Sequence, residues 1–157
     1  MPVEFSREAK DRFNRMVANY PEKRAALLPA LHLAQDEFGY ISTEAEEYVA
    51  SLFGLPLAKV REVVSFYTLY HTKPPGKYVI QICRNISCHL RGGGRVIGYL
   101  ENRLGIENGG TGADGRFTLQ EVECLGACEF APVMQIGENY YGPLTERRID
   151  EILEGLK

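Results

Sequence analysis

"YVIQICRNISCHL", residues 78–90, reads as a short strand, a cysteine at its end, and a second cysteine where a helix begins. The run YVIQI (78–82) is almost continuously apolar, as strands buried on both faces are. Val96, Ile97, Leu100 and Leu104 continue it as the apolar stripe of a helix that Gly105 ends. The device recurs downstream. FTLQEVE (117–123) reads as a second strand, Cys124 ends it, and Cys128 follows in the loop before APVMQI. Two adjacent strand ends can therefore present two cysteine pairs to one point in space.

These are all the cysteines of a 157-residue chain that has three histidines and no tryptophan. The pairs C-x4-C and C-x3-C stand 35 residues apart with no thiol left over, which points to a metal site rather than to scattered core packing. Structural disulfides suit oxidising compartments, and a dithiol oxidoreductase needs Cys-x-x-Cys with a low-pKa nucleophile, which is absent. Spacing leaves two metals open. A four-cysteine zinc module accepts paired thiolates, although zinc ribbons favour the tighter Cys-x-x-Cys turn. A [2Fe–2S] cluster puts two cysteines on each iron and suits wider chelates. A charged cluster would also use its surroundings. A helix start at 88–91 would aim backbone donors at it, Arg84 and Arg91 would add positive charge, and Glu123 and Glu129 would oppose reduction. Gly126 lets the backbone pass close to the cluster, and His89 is a neighbour or solvent-facing residue.

Working outward, VMQI (133–136) and NYY (139–141) read as further strands, and Thr145 caps a last helix with Ile149, Ile152, Leu153 and Leu156 on its apolar face. Upstream, HTKPPGK (71–77) breaks the pattern, and residues 1–74 read as a four-helix bundle. Ser6 caps the first helix. Pro21 opens the second, which Pro29 breaks or kinks and Gly39 closes. Thr43 and Glu46 form a capping box for the third, and Pro56 starts the fourth. The expected class is α+β: a helical bundle over 1–74, then a small sheet with helices over 75–157.

Composition excludes other roles. The net charge is −3, and the halves divided after residue 76 carry 9 and 9 basic against 10 and 11 acidic residues. No face is basic enough to expect nucleic acid as partner. Helices 43–53 and 56–67 have the outline of a helix-turn-helix, but the second is apolar and aromatic apart from Lys59 and Arg61, where a base-reading helix carries polar groups. GTGADG (110–115) matches a dinucleotide fingerprint in letters only, because a helix precedes it and a strand follows. No apolar run is long enough for a membrane span, and the N-terminus lacks the look of a signal peptide. A cytoplasmic protein is expected.

The cysteine pairs, with ECLGACEFAPVMQIGENYYGPLT (123–145), LPALHLAQDEFGYIS (28–42) and VREVVSFYTLY (60–70), resemble the small (E) [2Fe–2S] subunits of respiratory NADH:quinone oxidoreductase. The resemblance implies a thioredoxin-like [2Fe–2S] ferredoxin domain behind a four-helix bundle, with Cys83, Cys88, Cys124 and Cys128 ligating one cluster. It also implies a larger flavoprotein partner holding FMN and NADH, other peripheral-arm subunits, and a place at the inner face of the membrane, or the matrix side in a mitochondrion. This chain would be part of an enzyme without a catalytic site of its own. Similar subunits serve NAD(P)-linked hydrogenases and formate dehydrogenases. The helical half would dock the partner, with Phe66, Tyr67 and Tyr70 as the candidate contacts.

Overall fold

The computed structural model describes residues 3–156, and the chain divides into two compact units between Pro74 and Pro75. The first holds α1 (Arg7–Val17), α2 (Leu27–Phe38), α3 (Thr43–Phe53) and α4 (Leu57–Phe66), with a 3-10 turn at Lys23–Ala26 before α2. Phe5, Phe13, Leu31, Ile41, Val49 and Val60 are buried at its centre. Phe5 stacks edge-on against Tyr48, ring centres 5.1 Å apart.

Local chemistry shifts two expected boundaries and one expected partner. α2 starts at Leu27, so Pro29 lies in its first turn, where a helix needs no amide donor, and it neither breaks nor kinks the helix. Ser42, not Thr43, caps α3 by accepting the Ala45 amide. Glu46, freed from a capping box, is buried and meets Arg61 of α4 at 2.9 Å.

The second unit is a four-stranded mixed sheet in the order β2-β1-β3-β4, made of β1 (Tyr78–Cys83), β2 (Phe117–Val122), β3 (Met134–Ile136) and β4 (Asn139–Tyr141). β1 and β2 are parallel, so their connection must cross over the sheet. It does so through α5 (Ile86–Leu90) and α6 (Gly93–Leu104). β3 pairs antiparallel with β1, and β4 closes a hairpin with β3. Ile80 and Ile82 are buried in a core with Val96 and Leu100 of α6 and Ile149 and Leu153 of α7 (Glu146–Gly155). Val79 and Gln81 stay half-exposed, so within this unit β1 is not buried on both faces as its apolar run suggested. α6 and α7 are tied by Asp150, which accepts from Tyr99 Oη at 2.8 Å and from Arg103 Nε at 3.0 Å. These two bonds hold its carboxyl below the usual range, the Tyr99 bond first.

Candidate metal centre

The topology brings the cysteines together. Cys83 ends β1, and Cys124 lies just past the end of its parallel neighbour β2. β3 runs back along the other side of β1 from Met134, opposite Ile82. The chain between β2 and β3 must therefore pass across the end of β1, carrying Cys124 and Cys128 over Cys83. The Cys83 amide donates to Val133 O at 3.2 Å, and the Cys83 thiol donates to Glu123 O at 3.5 Å.

Cys88 arrives by a different route from the one expected. It sits within the short α5, capped by Asn85, and not at the start of the long helix. Gly92, at φ +91°, separates α5 from α6, so residues 88–91 close a short helix and are not the start of the long one. The glycines instead allow close approach. A Cβ on Gly93 would lie 2.8 Å from the Cys88 carbonyl oxygen.

All four thiols are free, Cys83 and Cys88 buried, Cys124 and Cys128 exposed. They meet pairwise. Burial pushes the Cys83 thiol up, but hydrogen bonds from the Asn85 and Leu125 backbone and from the Cys88 and Cys124 thiols outweigh it and bring it below the ordinary cysteine value. Cys88 is pushed up to about 11, mainly by burial, then by its bond to Cys83; the nearby Cys83 and Cys128 charges add to the effect. Among the described residues, no group of three or more His, Cys, Asp or Glu side chains closes around a single ion. Four soft donors, with Cys83 bonded to Cys88 and to Cys124, and Cys128 close enough to act on Cys88, fit a two-iron cluster, which spreads its ligands over two metals.

The flanking residues divide by what they touch. Arg84 pairs with Glu123 at 3.4 Å and reaches Glu121 at 3.9 Å. Arg91 Nε donates to Ala131 O at 3.0 Å, tying the end of α5 to the loop after Cys128. Gly126 has φ +71° and donates its amide to Cys124 Sγ at 3.4 Å, a conformation that favours glycine. His89 and Glu129 are exposed. Three exposed apolar side chains, not anticipated from the sequence, stand on the short elements that carry Cys88 and Cys128. Ile86 and Leu90 of α5 are 73% and 79% exposed, and Phe130 is 47% exposed. Leu90 and Phe130 each precede a residue of the Arg91–Ala131 bond. Ile86 and Leu90 are four apart on a helix that keeps Cys88 inside, a spacing that could have revealed them.

The profile of thioredoxin-like [2Fe–2S] ferredoxins matches residues 13–157. This chain belongs to that family. The ferredoxin is 47% identical over 140 residues to the second of the NADH-quinone oxidoreductase E subunits of Rhizobium meliloti, covering 89% of this chain and 83% of that protein. It is 37% identical over 137 residues to the HndA subunit of the NADP-reducing hydrogenase of Solidesulfovibrio fructosivorans, covering 87% and 80%. Among solved structures, an air-oxidised NAD+-reducing [NiFe]-hydrogenase superposes with a TM-score of 0.73 at 27% identity. That match covers 83% of this ferredoxin and 22% of the hydrogenase chain, so this chain spans about a fifth of that one.

In the helical unit, Phe66 is 77% exposed and Tyr67 partly buried. Both line an open cleft of about 740 Å³ with Leu28, Val63, Arg24 and Lys59. Tyr70 is 5% exposed and donates its hydroxyl to Leu28 O at 2.9 Å, so it builds the bundle core and offers no docking surface. Among the described residues, no helix is long and apolar enough to cross a membrane.

Proposed function

We propose that Cys83, Cys88, Cys124 and Cys128 hold one [2Fe–2S] cluster, and that this chain is the electron-transfer subunit of an NADH-linked oxidoreductase. Its electrons are exchanged with FMN on a larger flavoprotein subunit that also binds NADH. The observation that carries the reading is that four free thiols, from the end of β1, from α5, and from the loop that leaves β2, lie within reach of one another. When bound, the cluster takes up and releases single electrons with no substrate bond made or broken in this chain. The residues around it set access. Cys83 and Cys88 anchor it inside, and the exposed Cys124 and Cys128 mark the edge a partner must approach. Ile86, Leu90 and Phe130 supply apolar surface that excludes water on docking. Residues 75–157 carry the redox function, and residues 1–74 add a second contact through the cleft at Phe66 and Tyr67. The assembly, with further peripheral-arm subunits, sits at the inner membrane face.

Purified without oxygen, the protein should be red-brown, with two irons and two acid-labile sulfides per chain and a single-spin electron paramagnetic resonance signal after reduction. A colourless protein with one zinc would overturn the reading in favour of a structural module. The likeness to hydrogenase subunits favours one alternative complex, an NAD(P)-linked hydrogenase. The native assembly separates the two: reduction of NAD(P) by hydrogen gas identifies a hydrogenase, and reduction of quinone by NADH identifies the respiratory complex. Alone, the chain should neither bind nor oxidise NADH.

A further inference from the structure

Arg84 follows Cys83 and Glu123 precedes Cys124, each one residue past the end of its strand. β1 and β2 are in register with Cys83 opposite Val122, and the ladder continues past the strand ends through the Arg84 amide, which donates to Val122 O at 2.9 Å. Glu121 and Glu123 are two apart on an extended chain, so they point to the same face. The Arg84 guanidinium meets both, its Nε 3.4 Å from Glu123 and an Nη 3.9 Å from Glu121. One positive charge thus stands between two carboxylates at the edge where β1 and β2 deliver their cysteines.

We infer that Arg84 is a positioning residue that sets the reduction potential of this centre by holding the local charge at one negative unit. The inference rests on the cluster assignment above. A [2Fe–2S] centre with four thiolates carries about two negative charges and gains one on reduction. Every uncompensated carboxylate beside it opposes that gain. Glu123 taken alone would lower the potential; in the structure its charge is answered by Arg84. The count gives signs. Arg84→Gln leaves two unpaired carboxylates, and the potential falls. Glu123→Gln leaves Arg84 balanced against Glu121 alone, and the potential rises. Arg84→Gln with Glu123→Gln restores one net negative charge, and the potential returns close to that of the unaltered protein. For partly exposed charges, each single change should alter the reduced-to-oxidised ratio at fixed poise by roughly fivefold. For a one-electron couple that is a shift of about 40 mV.

The test is a spectroscopic redox titration of the full chain and its three variants, with iron and sulfide counted in each. Opposite shifts for the single variants and cancellation in the double support the bridge. Shifts of the same sign, or none, overturn it, because a merely structural tie has no reason to reverse sign with charge. Arg84→Lys, which keeps the charge but loses the fork, should stay near the original potential. Should Arg84→Gln fail to retain the cluster, Glu123→Gln decides alone: a rise supports the assignment, and a fall or no change overturns it. Absence of iron and sulfide from the unaltered protein would sink the cluster assignment itself, and the role of Arg84 with it, before any variant is compared.

Discussion

A methyl group added to Gly93 would crowd the Cys88 carbonyl oxygen at 2.8 Å, and that oxygen belongs to main chain that cannot swing away. Gly93→Ala should therefore cost about 1–3 kcal/mol, as overpacking does, and displace Cys88. Gly126→Ala meets no neighbour, but its φ of +71° should cost about 1–2 kcal/mol through backbone strain alone. Gly94 is the control: it is helical, open and without positive φ, so Gly94→Ala should be neutral or mildly stabilising. Urea unfolding of the three variants, with iron content alongside, checks the order. At this scale the sequence was partly legible. The residue types and spacing of the cysteines pointed to a metal site while leaving zinc and iron open, and Gly126 read as a place for close backbone approach without its left-handed φ. The pairing of Arg84 with Glu123 was not readable, because each seemed free to act on the cluster and only the strand register sets one beside the other.

Between elements, the contact of α3 with α4 adds one buried carboxylate to its apolar packing. Glu46 is 7% exposed at its side chain and is paired with Arg61, itself half-exposed. Arg61→Ala would leave Glu46 buried and unpaired, at a cost of about 1–3 kcal/mol. Lys59→Ala removes only an exposed pair with Glu62 and should cost under about 0.5 kcal/mol. The urea midpoints of these two variants should separate accordingly. The same carboxylate explains a misplaced boundary. In ISTEAE two adjacent hydroxyls compete for the cap, and the sequence cannot weigh the pull of an arginine fifteen residues on. α5 escaped notice for a related reason. Five residues offer a single i, i+4 pair, and GGG (92–94) reads as room for close packing until the left-handed φ of Gly92 shows that it separates two helices.

For the whole molecule, the α+β class was open to reading because period and punctuation change together at HTKPPGK, where helical stripes give way to short strands. A pH dependence belongs to the helical unit. Burial lowers the His71 pKa below its ordinary 6.5, so the unfolded chain binds that proton more readily than the folded one. Stability from this residue is then level above pH 6.5 and falls as pH drops below it. His71→Gln should flatten the decline, since the main-chain bonds to Ile41 and Gln35 do not depend on the imidazole. Thermal unfolding from pH 7.5 to 5.5 measures it. A truncated chain of residues 77–157 keeps all four cysteines and every described strand. Metal binding should let it fold despite its small core, so it should retain the visible spectrum while losing most of its affinity for the flavoprotein.

The unequal burial of the four thiols has a consequence for how the protein is made. A freshly folded chain, still without iron, offers a delivery protein only Cys124 and Cys128, while Cys83 and Cys88 lie 3% and 1% exposed beneath. On access alone, assembly should begin at the outer pair and end at the inner one, and oxidants should reach the outer pair first. Alkylation of the iron-free chain should accordingly proceed in two phases, two cysteines reacting at once and two only as the β1 end opens. Mass spectrometry of the labelled peptides would identify the fast pair as the one in ECLGAC.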